Sequence, residues 1–331
     1  MRDNQRPVSL PRNELKPGAA YALQRAAGEI TGAGGHSRSP PSFATSGGRS
    51  GTGNQRATRW LSAAGRCRAI DDRASQASDL RNSAKIWPVG WEALAQWGED
   101  VARIEPLADG PAHDLWSVRV NGLIAVGRLG ARSDPDLAWE TELLQYLDRE
   151  GLTVPLPIPT ADGRLFAEGL MVMTYVEGGP PETEGDWRRV ADTLRQLHRL
   201  TQGWPQRPGW RSSTDLLQAV TGTKIDLGAM PPEGVARCRA AWTRLVGRQT
   251  CVVHGDPNPG NVRMTASRVA LIDWDESHVD VPDLDLVLPH NAAGLDNGAH
   301  DIAAQASAAW EAAVCWDDEY AVRRLAEVRA I

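Results

Sequence analysis

The sequence predicts an α+β protein in two lobes, a small β-rich lobe followed by a larger, mainly helical one. Three observations predict it. Between residues 101 and 129, three alternating apolar runs ("VARIEPL", "LWSVRV" and "LIAVGRL") are separated by turn-type residues. From about residue 179 the apolar spacing changes to that of amphipathic helices. Inside this helical half lies one polar hairpin, "CVVHGDPNPGNVRM" at residues 251–264, followed by "RVALIDWD" at 268–275. Strands in one block and helices in another read as α+β rather than as alternating βαβ units.

Order begins near Trp87, and "WEALAQWGED" reads as a short amphipathic helix. Asn121-Gly122 between the second and third runs is a strong two-residue hairpin signal, because both residues tolerate positive φ. "DPDLAWETELLQYLDREG" follows as a helix, with Leu137, Leu143, Leu144 and Leu147 at near-helical spacing and Gly151 as its stop. "GLMVMTYVEG" at 169–178 reads as a fourth strand. "TEGDWRRVADTLRQLHRL" then places Val190, Leu194 and Leu197 on one face, and Thr183 and Asp186 have capping-box spacing. "PPEGVARCRAAWTRLVG", "HDIAAQASAAWEAAV" and "DDEYAVRRLAEVRA" supply three more helices around the polar hairpin. The expected organisation is a tail over 1–85, an N-lobe over 86–178 and a C-lobe over 179–331.

Residues 1–85 are rich in Gly, Ser, Pro and Arg and hold little to bury, so they are expected to be a disordered basic tail. They carry 14 Lys and Arg against 6 Asp and Glu, whereas residues 86–331 carry 22 against 36. A body that acidic repels phosphate backbones, which argues against a nucleic-acid partner. No run of 18 or more apolar residues is present and no apolar signal stretch opens the chain, so neither a membrane partner nor secretion is expected. The four cysteines, Cys67, Cys238, Cys251 and Cys315, are far apart and lack C-x-x-C spacing. That pattern fits a cytoplasmic protein without a disulfide scaffold or a cysteine-based zinc site.

The polar hairpin carries the chemistry. Asp256 is followed five residues later by Asn261, and Asp273 ends the next apolar run. Each alone is an ordinary turn or strand-end residue. Together they suit phosphoryl transfer from ATP, which demands positioning and electrostatics more than covalent chemistry. Asp256 can accept a proton from an acceptor hydroxyl. Asn261 and Asp273 offer the hard oxygens that Mg²⁺ takes from protein, leaving its other positions to phosphate and water.

"HGDPNPGN" followed by "LIDWD" resembles the catalytic and metal-binding motifs of the aminoglycoside phosphotransferase family, which includes choline-, homoserine- and fructosamine-kinase-like enzymes with a protein-kinase-like fold. The resemblance spans about residues 95–330 and implies an ATP- and Mg²⁺-dependent kinase acting on a small-molecule alcohol. It implies Asp256 as catalytic base, Asn261 and Asp273 as Mg²⁺ ligands, and His254 as a brace of the loop. "VDVPDLDL" is similar to the family's D-P-x-x-D-L segment, with Asp285 at its last Asp and Val281 in place of its first. In the N-lobe, "LADGPAHDLWSVRV" is similar to the nucleotide loop, with backbone groups from Gly110 to His113 facing phosphates. Arg128 stands where the family's phosphate-gripping cation is expected, paired with Glu140 or with Glu142. Thr174, Tyr175 and Val176 form the expected hinge against adenine.

Asp275 assists the metal or merely solvates the loop, and His198 reads as a packed helix residue. Glu276, Asp280, Asp296, Asp301 and Glu311 make the expected acceptor region acidic, which suits a cationic aminoglycoside or amino alcohol; solvated helix faces explain the same acids equally well. Trp310 and Trp316 are either core residues or liners of that region. Two other readings compete. One is a non-catalytic kinase-like nucleotide-binding module. The other is a metallohydrolase using His254, Asp256 and Asp273 as ligands.

Overall fold

Asn121 and Gly122 both take left-handed backbone, with φ of 51° and 79°, and so close the tight turn the sequence requires. In the computed structural model this turn joins β2 (Asp114–Val120) to β3 (Leu123–Leu129). The structure describes residues 90–329 except 109–113, 223, 266 and 317, and these belong to one unit, Ala57–Ile331. The expected tail over 1–85 and the Gly110–His113 loop lie outside the described residues.

β1 (Val101–Ala108), β2, β3 and β4 (Leu170–Thr174) form one antiparallel sheet in that order. β4 shows why "LMVM" is apolar throughout. Leu170 and Val172 join one core with Trp91, Leu94 and Trp97, while Met171 and Met173 join another with Leu137, Leu143 and Leu144. Successive side chains of a strand point to opposite faces, so an edge strand covered on both faces needs no polar residue. "WEALAQW" is a 3₁₀ rather than an α-helix, Trp91–Trp97, which lays Trp91, Leu94 and Trp97 on the sheet. α1 (Asp134–Arg149) covers the other face, and the chain turns away at Gly151 with φ 88°.

The remainder is mainly helical. α2 (Glu184–Leu200) starts with the expected capping box between Thr183 and Asp186. Next come a two-residue hairpin, β5 (Thr221–Gly222) and β6 (Ile225–Asp226), and α3 (Pro232–Thr243). α4 (Asn297–Val314) and α5 (Glu319–Glu327) close the chain. Between α3 and α4 lie β7 (Cys251–Val253), β8 (Val262–Met264), β9 (Val269–Leu271) and β10 (His278–Asp280). β8 pairs with β9 as expected, whereas β7 pairs with β10, a strand not foreseen. Bridges tie this hairpin to the segments flanking β4, Gly179 to Met264 and Thr153 to Ala270. The polar turn is thus fixed where the sheet and the helical region meet.

Cys238 and Cys251 are free and buried, whereas Cys315 is disulfide-bonded. This one bonded cysteine departs from the expectation of a chain without a disulfide scaffold. Among the described residues no helix is long and apolar enough to cross a membrane.

Candidate active site

β7 delivers His254 to the end of a buried strand, and Gly255 then turns the chain with φ 87°. A Cβ at Gly255 would lie 2.4 Å from the Glu276 carbonyl oxygen, so only glycine fits. The next residue is Asp256. Asn258 accepts from the Gly260 N–H at 2.6 Å and starts the short 3₁₀ turn Pro259–Asn261. That turn aims Asn261 back at Asp256: its Nδ2 donates to the Asp256 backbone oxygen at 3.0 Å and to Oδ2 at 3.1 Å. With its nitrogen committed, Asn261 keeps its carbonyl oxygen for a cation.

The turn is braced from below. His254 is fully buried, and burial lowers its pKa, so the ring is neutral at pH 7. Its Nε2 lies 3.0 Å from the Ile272 carbonyl and its Nδ1 accepts from the Asp256 N–H at 3.4 Å, which puts the proton on Nε2. Both ring nitrogens therefore have protein partners, which removes His254 from any metal-ligand set. Asp285 accepts from the His254 N–H at 2.7 Å and the Gly255 N–H at 2.9 Å, with His198 Nε2 at 2.8 Å. Burial would raise the Asp285 carboxyl, but the contacts with His198, His254 and Gly255 outweigh it and hold the group below its ordinary value.

Asp273, two residues past β9, has a left-handed backbone, φ 63°. Burial, then the charges of Asp275 and Asp256, push its carboxyl up to about 7 against the opposing pull of Arg128 and Lys224. Asp273 follows Ile272, whose N–H donates to the Asn261 backbone carbonyl at 2.9 Å, and a carboxylate so disfavoured fits a divalent cation whose charge would restore the ionised form. Asn261 and Asp273 are thus chemically suited to hold Mg²⁺ together with phosphate oxygens.

Arg128, on β3, is buried and ion-pairs with Glu140 of α1, and its Nη1 reaches Asp275 Oδ1 at 2.5 Å. Glu140, not Glu142, faces Arg128. A larger network surrounds this pair. Arg132 contacts Asp136 at 2.9 Å, Glu140 at 2.6 Å and Asp275 at 3.3 Å, and Arg207 pairs with Asp136 and reaches Glu140 at 3.4 Å. Three guanidiniums and three carboxylates so arranged satisfy one another in a dry site. Sequence reasoning missed Arg132, Asp136 and Arg207. The i,i+4 spacing of Arg132 and Asp136 was a local signal, but "PQRPGW" around Arg207 carries none.

At the expected hinge, the Thr174 N–H is spent on the Leu156 carbonyl at 2.8 Å and its Oγ1 accepts from the Leu156 N–H at 2.9 Å. Tyr175 is exposed and Val176 half-buried, so their backbone groups are the ones left for a nucleotide base. The five acids of the expected acceptor region are all engaged. Glu276 pairs with Lys224 at 2.6 Å, and Asp280 binds the Ser213 N–H and hydroxyl. Asp296 caps α4, Asp301 pairs with Arg244 and Arg329, and Glu311 pairs with Arg324. Trp310 is a core residue stacked on His278 at 4.4 Å, and Trp316 donates to the Ala229 carbonyl at 3.0 Å.

The chain is 28% identical over 188 residues to a homoserine kinase of Sinorhizobium fredii, covering 50% of this chain and 56% of that protein. It is 29% identical over 161 residues to a homoserine kinase of Rhizobium meliloti, covering 42% and 47%. The chain spans about half the length of the curated relatives it matches. In fold it resembles the choline kinase LicA from Streptococcus pneumoniae, with TM-score 0.51 and 15% identity over 72% of this chain and 95% of that one. The profile of the phosphotransferase enzyme family matches residues 103–325, more than half of the chain, and includes both hairpin motifs and the Arg128–Glu140 pair. The chain therefore belongs to the phosphotransferase enzyme family.

Proposed function

We propose that the protein transfers the γ-phosphate of ATP to a hydroxyl of a small molecule, with the nucleotide on the lobe of residues 86–178 and the acceptor on that of residues 179–331. The observation that carries this reading is the Asp273 carboxyl raised by burial and by Asp275 and Asp256, the latter bonded to Asn261, because the site is short of positive charge where a divalent metal ion would bring it. Bound Mg²⁺ would neutralise charge on the transferring phosphoryl group, held on the protein side by Asn261 Oδ1 and Asp273. Asp256, fixed by the Asn261 amide, orients the acceptor hydroxyl and takes its proton. Arg128, kept in place by Glu140 and Asp275, presents its guanidinium to the phosphates. Tyr175 and Val176 offer backbone groups to the base.

The acceptor is a small amino alcohol. The homology to homoserine kinases supports it. A polycationic aminoglycoside is less suited, because the acids that would attract it already have partners. The test is ADP release from ATP and Mg²⁺ over a panel of amino alcohols, aminoglycosides, macrolides and sugars, with the parent chain and Asp256→Asn. Turnover with an amino alcohol that falls by about a hundredfold or more in the variant, with ATP binding retained, supports the reading. Nucleotide binding without turnover of any acceptor would mark a non-catalytic module instead.

A further inference from the structure

Arg207 lies in none of the motifs, yet it is the point at which the two halves of the site meet. Its side chain is 1% exposed and sits among the rings of Trp139 and Trp210, with centroids 5.4 and 5.0 Å from its guanidinium carbon. Toward α1 it pairs with Asp136 and reaches Glu140. Toward the hairpin its Nη1 donates to the carbonyl oxygens of Trp274 at 3.1 Å, Asp275 at 3.1 Å and Ser277 at 2.7 Å. Those carbonyls belong to the turn that starts one residue after Asp273.

The loop that carries Arg207 is itself fastened on both sides. The Pro205 carbonyl accepts from Trp139 Nε1 of α1 at 2.8 Å. The Gln206 side chain makes a two-way bond with the Val279 backbone of β10, at 2.8 and 2.9 Å. Only a planar fork of five donors can serve two carboxylates and three carbonyls at once; an ammonium cannot.

We propose that Arg207 is a positioning residue that sets the placement of the Asp273–Asp275 turn against α1, and hence of the metal-ligating carboxylate against Arg128. The proposal rests on the phosphotransfer reading, since it assigns Arg207 a part in that reaction. A turn held by three carbonyl contacts to one guanidinium shifts when the guanidinium is lost, and a shift near 1 Å at a reacting centre costs about a hundredfold in rate.

Arg207→Lys keeps the charge and most of the volume but removes the fork. Asp136→Asn loosens the guanidinium from the α1 side and serves as a second variant. Hydrogen exchange is measured on the full chain without nucleotide, together with thermal unfolding, nonhydrolysable-ATP affinity with and without Mg²⁺, and kcat. The expected result is faster exchange confined to 272–278 and 134–142, with β7 and α2 unchanged. The Mg²⁺-dependent gain in nucleotide affinity falls about tenfold and kcat about a hundredfold, the effect being smaller in Asp136→Asn. Unchanged exchange in 272–278, or a uniform rise over all helices, would overturn the proposal, since neither marks local positioning. A parent protein that turns over no acceptor would defeat the phosphotransfer reading alone, because the exchange pattern still decides what Arg207 holds.

Discussion

Two groups of charges meet at Asp275 and differ in balance. In the arginine network, Asp136 touches two guanidiniums, Glu140 three and Asp275 two, so each carboxylate lies well inside a field of opposite sign. In the candidate catalytic turn, Asp273 is pushed up to about 7 because burial and two neighbouring acids outweigh Arg128 and Lys224. One group is a closed framework. The other is left short of cation, and a folded chain holds such a charge deficit where a ligand supplies what is missing. The chemistry is therefore sought in the unbalanced half and the rigidity in the balanced one.

Asp273→Asn is the sharpest way to break that contrast. The folded carboxyl titrates near 7, above its ordinary 3.8, so the fold disfavours the ionised form. Stability without metal is then fullest at acid pH and falls as pH rises from about 4 to about 7. The variant has no such carboxyl, so its unfolding temperature in chelator lacks that downward contribution over the interval, and the difference from the parent grows toward pH 8 in the variant's favour. Its turnover falls by about a hundredfold or more, because the cation loses its charged protein ligand. Thermal unfolding from pH 4 to 8 together with steady-state rates checks both. A parent curve without the slope would mean that Asp273 is already compensated within the chain.

Asp285→Asn tests a further compensated carboxylate, outside the arginine network and beneath the turn. This carboxyl is held below its ordinary value, so its contribution is present above about pH 4 and lost as pH falls through the folded value. Removing a buried partner of His198 and of two backbone N–H groups is expected to cost about 3 kcal/mol at pH 7. The difference from the parent shrinks below pH 4. Urea unfolding at pH 7 and pH 3.5 measures it; equal stability at pH 7 would make Asp285 a spectator.

The same contrast explains what was legible in the sequence. The candidate catalytic turn packs His254, Asp256 and Asn261 into eight residues, and Asp273 follows two residues past the paired strand, so local spacing carries the geometry. The sheet was legible because strand period and the Asn121-Gly122 turn are local too. β10 was not, since "HVD" is only three residues long and is a strand only because β7 lies beside it. Arg207 was not, because its partners lie 67 to 71 positions away, and nothing in "PQRPGW" announces a buried cation. The acidic acceptor region stayed open between a cation-attracting face and solvated helix surface for the same reason. A list of acids does not reveal that Arg244, Arg324 and Lys224 fold onto them.

That last point gives the smallest expected effect and tests the acceptor reading directly. Asp301 lies between Arg244 at 3.1 Å and Arg329 at 2.5 Å, in a partly exposed position where ion pairs contribute about 1 kcal/mol at most. Asp301→Asn should therefore change stability by less than about 1 kcal/mol and the KM for a cationic acceptor by less than about twofold. Salt should flatten even that difference, because solvent-exposed charges are screened within about 10 Å at 0.1 M ionic strength. A tenfold rise in KM for an amino alcohol at low salt, with kcat unchanged, would show that the acid draws the acceptor despite its two arginines. It would also restore to this face the field for cations that its internal ion pairs otherwise cancel.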